Sequence, residues 1–178
     1  MRENRSLYFN TALHSLFLFI LCAVQSGLWY RLFNGFPQPF FWVLFLTYIS
    51  LYRDPQETFF LAAFSFLVVS SFSLIPHGSM FLVGFFICMF CMYIKDRIFW
   101  PGPSYYLLIA SICSVAANII YYLLVFLFEE TSAPDIRWLY IFLQCLLTTL
   151  ISPILYFIYQ ILDKLSGKEQ YIPMDEVG

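Results

Sequence analysis

Chemistry in this chain would have to come from a few polar or nucleophilic side chains set inside long apolar stretches. The candidates are Cys88-x-x-Cys91, His14, His77, Gln25, Asn118 and Gln144. Two cysteines at i and i+3 share one helical face, a spacing that suits a metal or a redox pair. No second pair accompanies them, and Cys22, Cys113 and Cys145 stand singly. Cysteine is also a small apolar residue favoured in helix packing, and packing is the preferred reading. Five thiols inside apolar segments give no disulfide framework. Histidine can titrate or ligate a metal, but neither His has an Asp, Glu or Cys partner in its own segment. His77 reads as part of the turn Pro76-His77-Gly78-Ser79, and His14 as an interfacial or helix-packing residue. Gln25, Asn118 and Gln144 could line a ligand pocket, but hydrogen bonds between helices are the more common use of such groups in a membrane.

No paired acid and base, Gly-rich phosphate loop, HExxH or GxSxG motif is present. No carboxylate is expected at membrane depth for proton coupling, and no buried charge for ion conduction. The chain therefore reads as non-enzymatic, with no cofactor and no metal.

The elements that must position these residues are set by where the charges fall. Residues 6–30, 32–52, 58–94, 98–128 and 138–162 contain no Asp, Glu, Lys or Arg. A charge at the bilayer centre costs at least ~2.5–3.5 kcal/mol on insertion scales, so such windows mark membrane segments. Composition agrees: 61% of residues are hydrophobic and 11% charged, and the mean hydropathy is +0.78. The net charge of −2 offers no basic face for nucleic acid.

Crossing ~30 Å of hydrocarbon takes about 20 apolar residues. Pro and Gly breaks divide the windows into six predicted spans, at about 7–30, 38–52, 58–75, 79–94, 104–128 and 136–162. Phe36, Phe40, Phe41 and Trp42 are expected at the interfacial end of the second, short span. Pro55 is placed to open the third helix and Pro153 to kink the last. Glu129 to Asp135 reads as an acidic loop. The first apolar stretch is longer than a signal-peptide core and is expected to be a retained span. The expectation is an all-α integral membrane protein: a six-transmembrane-helix bundle over residues 1–165 with a polar cytoplasmic tail, 166–178.

Orientation follows from the positive residues. With the N-terminus inside, Arg2, Arg5, Arg53, Lys95, Arg97, Lys164 and Lys168 lie inside, and only Arg31 and Arg137 outside. The positive-inside rule thus favours an N-in, C-in bundle with an even number of spans. Arg53, Lys95 and Arg97 form an inner basic rim that could meet anionic lipid or a cytoplasmic filament, although the plainer role is to set topology. Small residues in the first helix (Ala23, Gly27) and the fifth (Ala110, Ser114, Ala117, Asn118) make faces for close helix approach, within the chain or with a partner span. Gln144 joins these candidate faces.

The order of these features resembles MreD, a bacterial rod shape-determining membrane protein family. The resemblance runs from about Gly35 to Leu165. It comprises Phe36-Pro37-Gln38-Pro39, Leu44-x-Leu46-x-Tyr48, and the Tyr52-Arg53-Asp54-Pro55 turn. The hairpin His77-Gly78-Ser79, the stretch Leu82-Val83-Gly84-Phe85 to Tyr93, and Leu146 to Tyr156 with Pro153 complete it. One departure is the third span, where the family often carries Gly and Asp; residues 64–71 here read FSFLVVSS. A role tied to that Asp does not carry over.

The resemblance implies a non-catalytic scaffold of the cell-elongation (peptidoglycan synthesis) machinery in the bacterial cytoplasmic membrane. Its implied partners are an MreC-like membrane protein, RodA with a class B penicillin-binding transpeptidase, an MreB-like cytoskeleton, and the bilayer itself. The alternative is the substrate-binding subunit of an energy-coupling-factor vitamin transporter, also a six-helix protein and thought to share the MreD fold. Gln25, His77, Asn118 and Trp138 would be the groups available to its ligand.

Overall fold

The computed structural model describes residues 2–33, 35–72, 77–98, 100, 102–128 and 137–167. Residues 73–76 of the expected hairpin turn, the acidic loop and the tail from residue 168 lie outside the described residues. The described chain is helical, without strands. Helix α1 (Arg2–Ala23) continues through a π-helical stretch, Val24–Trp29, into the short α2 (Tyr30–Phe33). Then follow α3 (Phe41–Tyr52), α4 (Pro55–Phe72), α5 (His77–Lys95), α6 (Pro103–Phe128) and α7 (Trp138–Leu165). Five helices are long and apolar enough to cross a membrane, the first running over Phe9–Phe33. This is a multi-pass membrane bundle.

Its surface is inverted relative to a water-soluble domain. Phe59 and Phe60 are each 70% exposed, and Phe126, Phe128, Leu139 and Phe142 also face outward. An apolar surface this extensive is costly in water and favourable in lipid. Polar side chains are drawn inward instead: Asn10, His14, Arg53, Thr58, Ser114, Thr148 and Asp163 are all buried.

At the centre lies α3, all 12 of whose residues are buried. It touches α1, α4, α5, α6 and α7. This explains why residues 41–52 are apolar all round rather than on one stripe. At 1.5 Å per residue α3 is only about 18 Å long, shorter than ~30 Å of hydrocarbon. The expected span from residue 38 is therefore not helical throughout: the chain runs through a non-helical segment before α3 begins, with Pro37 and Pro39 buried. Phe41 and Trp42 are core residues, not interfacial ones. Non-helical backbone at this depth needs partners from the protein, and α7 provides them. Phe40 N–H donates to Thr148 Oγ1 at 3.0 Å, and Gln144 Nε2 donates to Gln38 O at 2.9 Å.

Other local signals act as their chemistry requires. Pro55 is the first residue of α4, where its missing N–H costs nothing. Pro153 stands inside α7 and leaves the carbonyl of Thr149 without its helical N–H; the Ser152 hydroxyl donates to that oxygen at 2.9 Å. Gly84 of α5 lies against the ring of Phe66 on α4, where an added Cβ would meet Phe66 Cε1 at 1.9 Å. That glycine allows the two helices to pack closely.

Candidate functional site

The densest polar chemistry lies where α3 ends. Arg53 caps α3 in an extended conformation, with its N–H on Ile49 O, while Thr58 Oγ1 donates to the same carbonyl from α4. The α3–α4 corner is thereby held tightly and the Arg53 side chain is directed between α1 and α7. It is 2% exposed. Nη1 donates to Asn10 Oδ1 at 2.5 Å and to Glu57 Oε2 at 3.5 Å. Nη2 donates to Asp163 Oδ1 and approaches His14 Nε2 at 3.2 Å.

Asp163, 4% exposed, also accepts from Tyr48 OH at 2.5 Å and Asn10 Nδ2 at 3.3 Å. Asn10 Nδ2 donates in addition to Ser166 Oγ. Lys95 Nζ, from the end of α5, donates to Arg53 O at 2.6 Å. One guanidinium and one carboxylate thus tie α1, α3, α4 and α7, and a lysine adds α5. Removing a partner from such a desolvated pair leaves an uncompensated charge, at about 3–5 kcal/mol.

His14 completes the cluster. Its Nδ1 lies 3.0 Å from Asn10 O; a carbonyl only accepts, so Nδ1 carries the proton. Nε2 then accepts from Arg53 when the ring is neutral, and faces Asp163 Oδ1 at 3.4 Å when protonated. The ring lies beside Tyr48 and Tyr159, at centroid distances of 6.5 and 6.2 Å, and those two rings stack on each other at 4.6 Å. Tyr52, Tyr106 and Tyr156 extend this aromatic wall, and Tyr106 OH donates to Leu44 O.

The arrangement corrects two expectations. A carboxylate and an arginine are buried after all. Asp163 stands one residue past a charge-free window, yet α7 continues to Leu165 and carries it inside. Arg53 and Lys95 belong to the interior; of the expected inner rim only Arg97 is exposed, its guanidinium 5.2 Å from the centre of the Tyr93 ring. His14 has a carboxylate partner, brought from the far end of the chain.

A second polar region lies at the opposite end. Gln25, Ser26, Gln38 and Gln144, with Cys22, Phe40, Trp42, Val69, Phe72 and Met80, line a half-open cavity of about 370 Å³. Trp42 and Arg53 lie near opposite ends of α3, about 16 Å apart along the helix axis. Gln25 Nε2 approaches Gln38 Oε1 at 3.5 Å. Gln144 and Gln25 therefore meet on Gln38, a residue that the search for single polar side chains within spans passed over.

The remaining candidates are placed as follows. Ala110, Ser114, Ala117 and Asn118 are buried; Asn118 Nδ2 donates to Ser114 O and to Cys145 Sγ. That face of α6 is occupied within the chain. Ala23 is half-buried and Gly27 exposed, with open space around it. Trp138 is exposed and is not among the residues that line the cavity. His77 opens α5. Cys91 meets Cys113 of α6, with Sγ–Sγ 3.4 Å, rather than forming a site with Cys88. Among the described residues no group of three His, Cys, Asp or Glu could hold a metal ion.

Besides Gln38, the residues given no site role from the sequence are Asn10, Asp163 and Tyr48, the last named there only within the resemblance. Each looked like an ordinary helical or boundary residue, and only the shared end of the bundle links them. Comparison with family models, with curated proteins and with solved structures finds no match to this chain.

Proposed function

We propose that the chain is a non-catalytic membrane scaffold of the bacterial cell-elongation machinery, of the MreD type, docking an MreC-like membrane partner. One observation carries this reading. The Tyr52-Arg53-Asp54-Pro55 turn, a segment on which the resemblance rests, is the point where four helices are tied together. Its ionic groups are engaged inside the chain, in a role of shape maintenance rather than bond breaking. What is left for a partner is helix surface and loop rim.

In this reading the bundle has six crossings, the non-helical segment before α3 completing the second, and both termini are cytoplasmic. The positive-inside count supports that orientation. Depletion in a rod-shaped host is expected to round the cells, and the purified chain to carry down a single-span, coiled-coil partner. Re-expression of the Arg97→Ala variant should restore rods and Arg53→Ala should not. Unchanged morphology on depletion overturns the reading.

The alternative, a substrate-binding subunit of an energy-coupling-factor transporter, is favoured by one feature, the glutamine-lined cavity. A vitamin retained in the purified protein, with cell shape unaffected by depletion, would establish it over the scaffold.

A further inference from the structure

We propose that the cavity bounded by Gln25, Gln38 and Gln144 binds a small uncharged molecule with an amide or lactam edge. The inference goes beyond the scaffold reading and holds whether or not that reading stands.

Three observations converge on it. First, the carboxamides are only half used. Gln144 and Gln25 each donate once, to the carbonyl and the side-chain oxygen of Gln38. Among the described residues the acceptor oxygens of Gln25 and Gln144 and the amide N–H groups of Gln38 have no hydrogen-bond partner. Gln144 as a whole is only 9% exposed, while its free oxygen stays accessible rather than fully buried. An edge that presents both a donor and an acceptor would satisfy them, whichever way each carboxamide is turned.

Second, among the described residues no Asp, Glu, Lys, Arg or His lines the cavity. A charged ligand would find no counter-ion among the described lining residues, so this lining favours neutral molecules. Phe40, Trp42 and Phe72 supply apolar and aromatic surface for the rest of the ligand.

Third, the cavity forms where two helices depart from regular geometry. Gln25 and Ser26 sit in the π-helical stretch of the first helix, and Gln38 sits in the non-helical segment before α3. π-helical turns are frequent at functional sites, and irregular backbone at membrane depth is tolerated where it is buried in protein or lines a cavity. Both irregularities face the same space.

The test uses the purified full chain in detergent. Native mass spectrometry and solvent extraction first look for a retained neutral molecule. Thymine, which carries imide N–H and C=O groups, is then titrated against orotate, a carboxylate of the same ring. Thymine should bind saturably and orotate at least tenfold more weakly. Thymine affinity should fall about tenfold in Gln25→Leu, the loss of one hydrogen bond, and further in Gln144→Leu. Gln144→Leu also removes the bond to Gln38 O and is read only if its melting curve shows it folded; Gln25→Leu decides otherwise. Three results would overturn the proposal: neither a retained molecule nor thymine binding, orotate binding as tight as thymine, or affinity unchanged in Gln25→Leu. Cell shape on depletion is an independent readout, so the scaffold reading and this site can fail separately.

Discussion

The two ends of the bundle handle buried polarity in opposite ways. At one end Arg53 and Asp163 are surrounded by Asn10, His14, Tyr48 and Glu57, which meet most of the ionic hydrogen-bonding capacity, with Arg53 Nε left buried and unpaired among the described residues. At the other end three glutamines line a cavity and leave half of their capacity unused. The difference follows from charge. An ion pair removed from water is tolerable only when it closes on itself. A neutral carboxamide can remain partly unsatisfied at a smaller cost, so it can wait for a ligand. The first end is tied by an ion pair, and the second is lined by neutral carboxamides.

The largest effect that would break this comparison concerns the ion pair. Asp163→Ala should destabilise the protein by about 3–5 kcal/mol, because Arg53 is left buried and unpaired. Thermal or denaturant melting in detergent measures it. The double variant Arg53→Met/Asp163→Leu should recover much of that loss. If the single variant melts like the parent, the cluster is not a lock.

A smaller loss is expected for Tyr48→Phe, which removes the hydroxyl on Asp163 and keeps the ring beside His14. A hydrogen bond to a charged group is worth about 1.5–3 kcal/mol. In the Arg53→Met/Asp163→Leu background the same change should cost much less, and a double-mutant cycle would show it. Equal costs in both backgrounds would mean that the hydroxyl does not act through Asp163.

At the cavity end, Thr148→Val withdraws the acceptor of Phe40 N–H at the start of α3. A loss of about 1–2 kcal/mol is expected, with faster amide exchange at Phe40 as the local signature. Unaltered exchange there would show that α7 does not hold the non-helical segment. The smallest effect belongs to Gln25→Leu, whose stability should stay within about 0.5 kcal/mol of the parent, since among the described residues its side chain makes one long bond, to Gln38. A loss as large as that of Tyr48→Phe would mean that both ends are structural locks.

Much of the fold was legible as a pattern of charge. Windows without charge, divided at Pro and Gly, gave helices whose ends agree with the structure within a few residues, such as 104–128 against Pro103–Phe128. They gave less at the second segment, where a run from residue 38 reads as one span. Only burial shows that α3 begins at Phe41 and lies at the centre. The candidate sites were less legible. Gln25 and Gln144 stood out because strong hydrogen-bonding groups are rare in apolar windows. Asp163 did not, because a charge beyond a window looks like a boundary marker.

The sequence by itself determined residence in a membrane, the helical class and the approximate helix limits. Each follows from local composition, since the cost of placing a charge or an unpaired backbone group in hydrocarbon acts on every segment separately. Tertiary structure alone decided that Arg53 and Asp163, separated by 110 positions, become one buried pair, and that three glutamines on different elements line one cavity. Those outcomes depend on which helix ends meet, and an ion pair leaves no periodic trace in the chain that forms it.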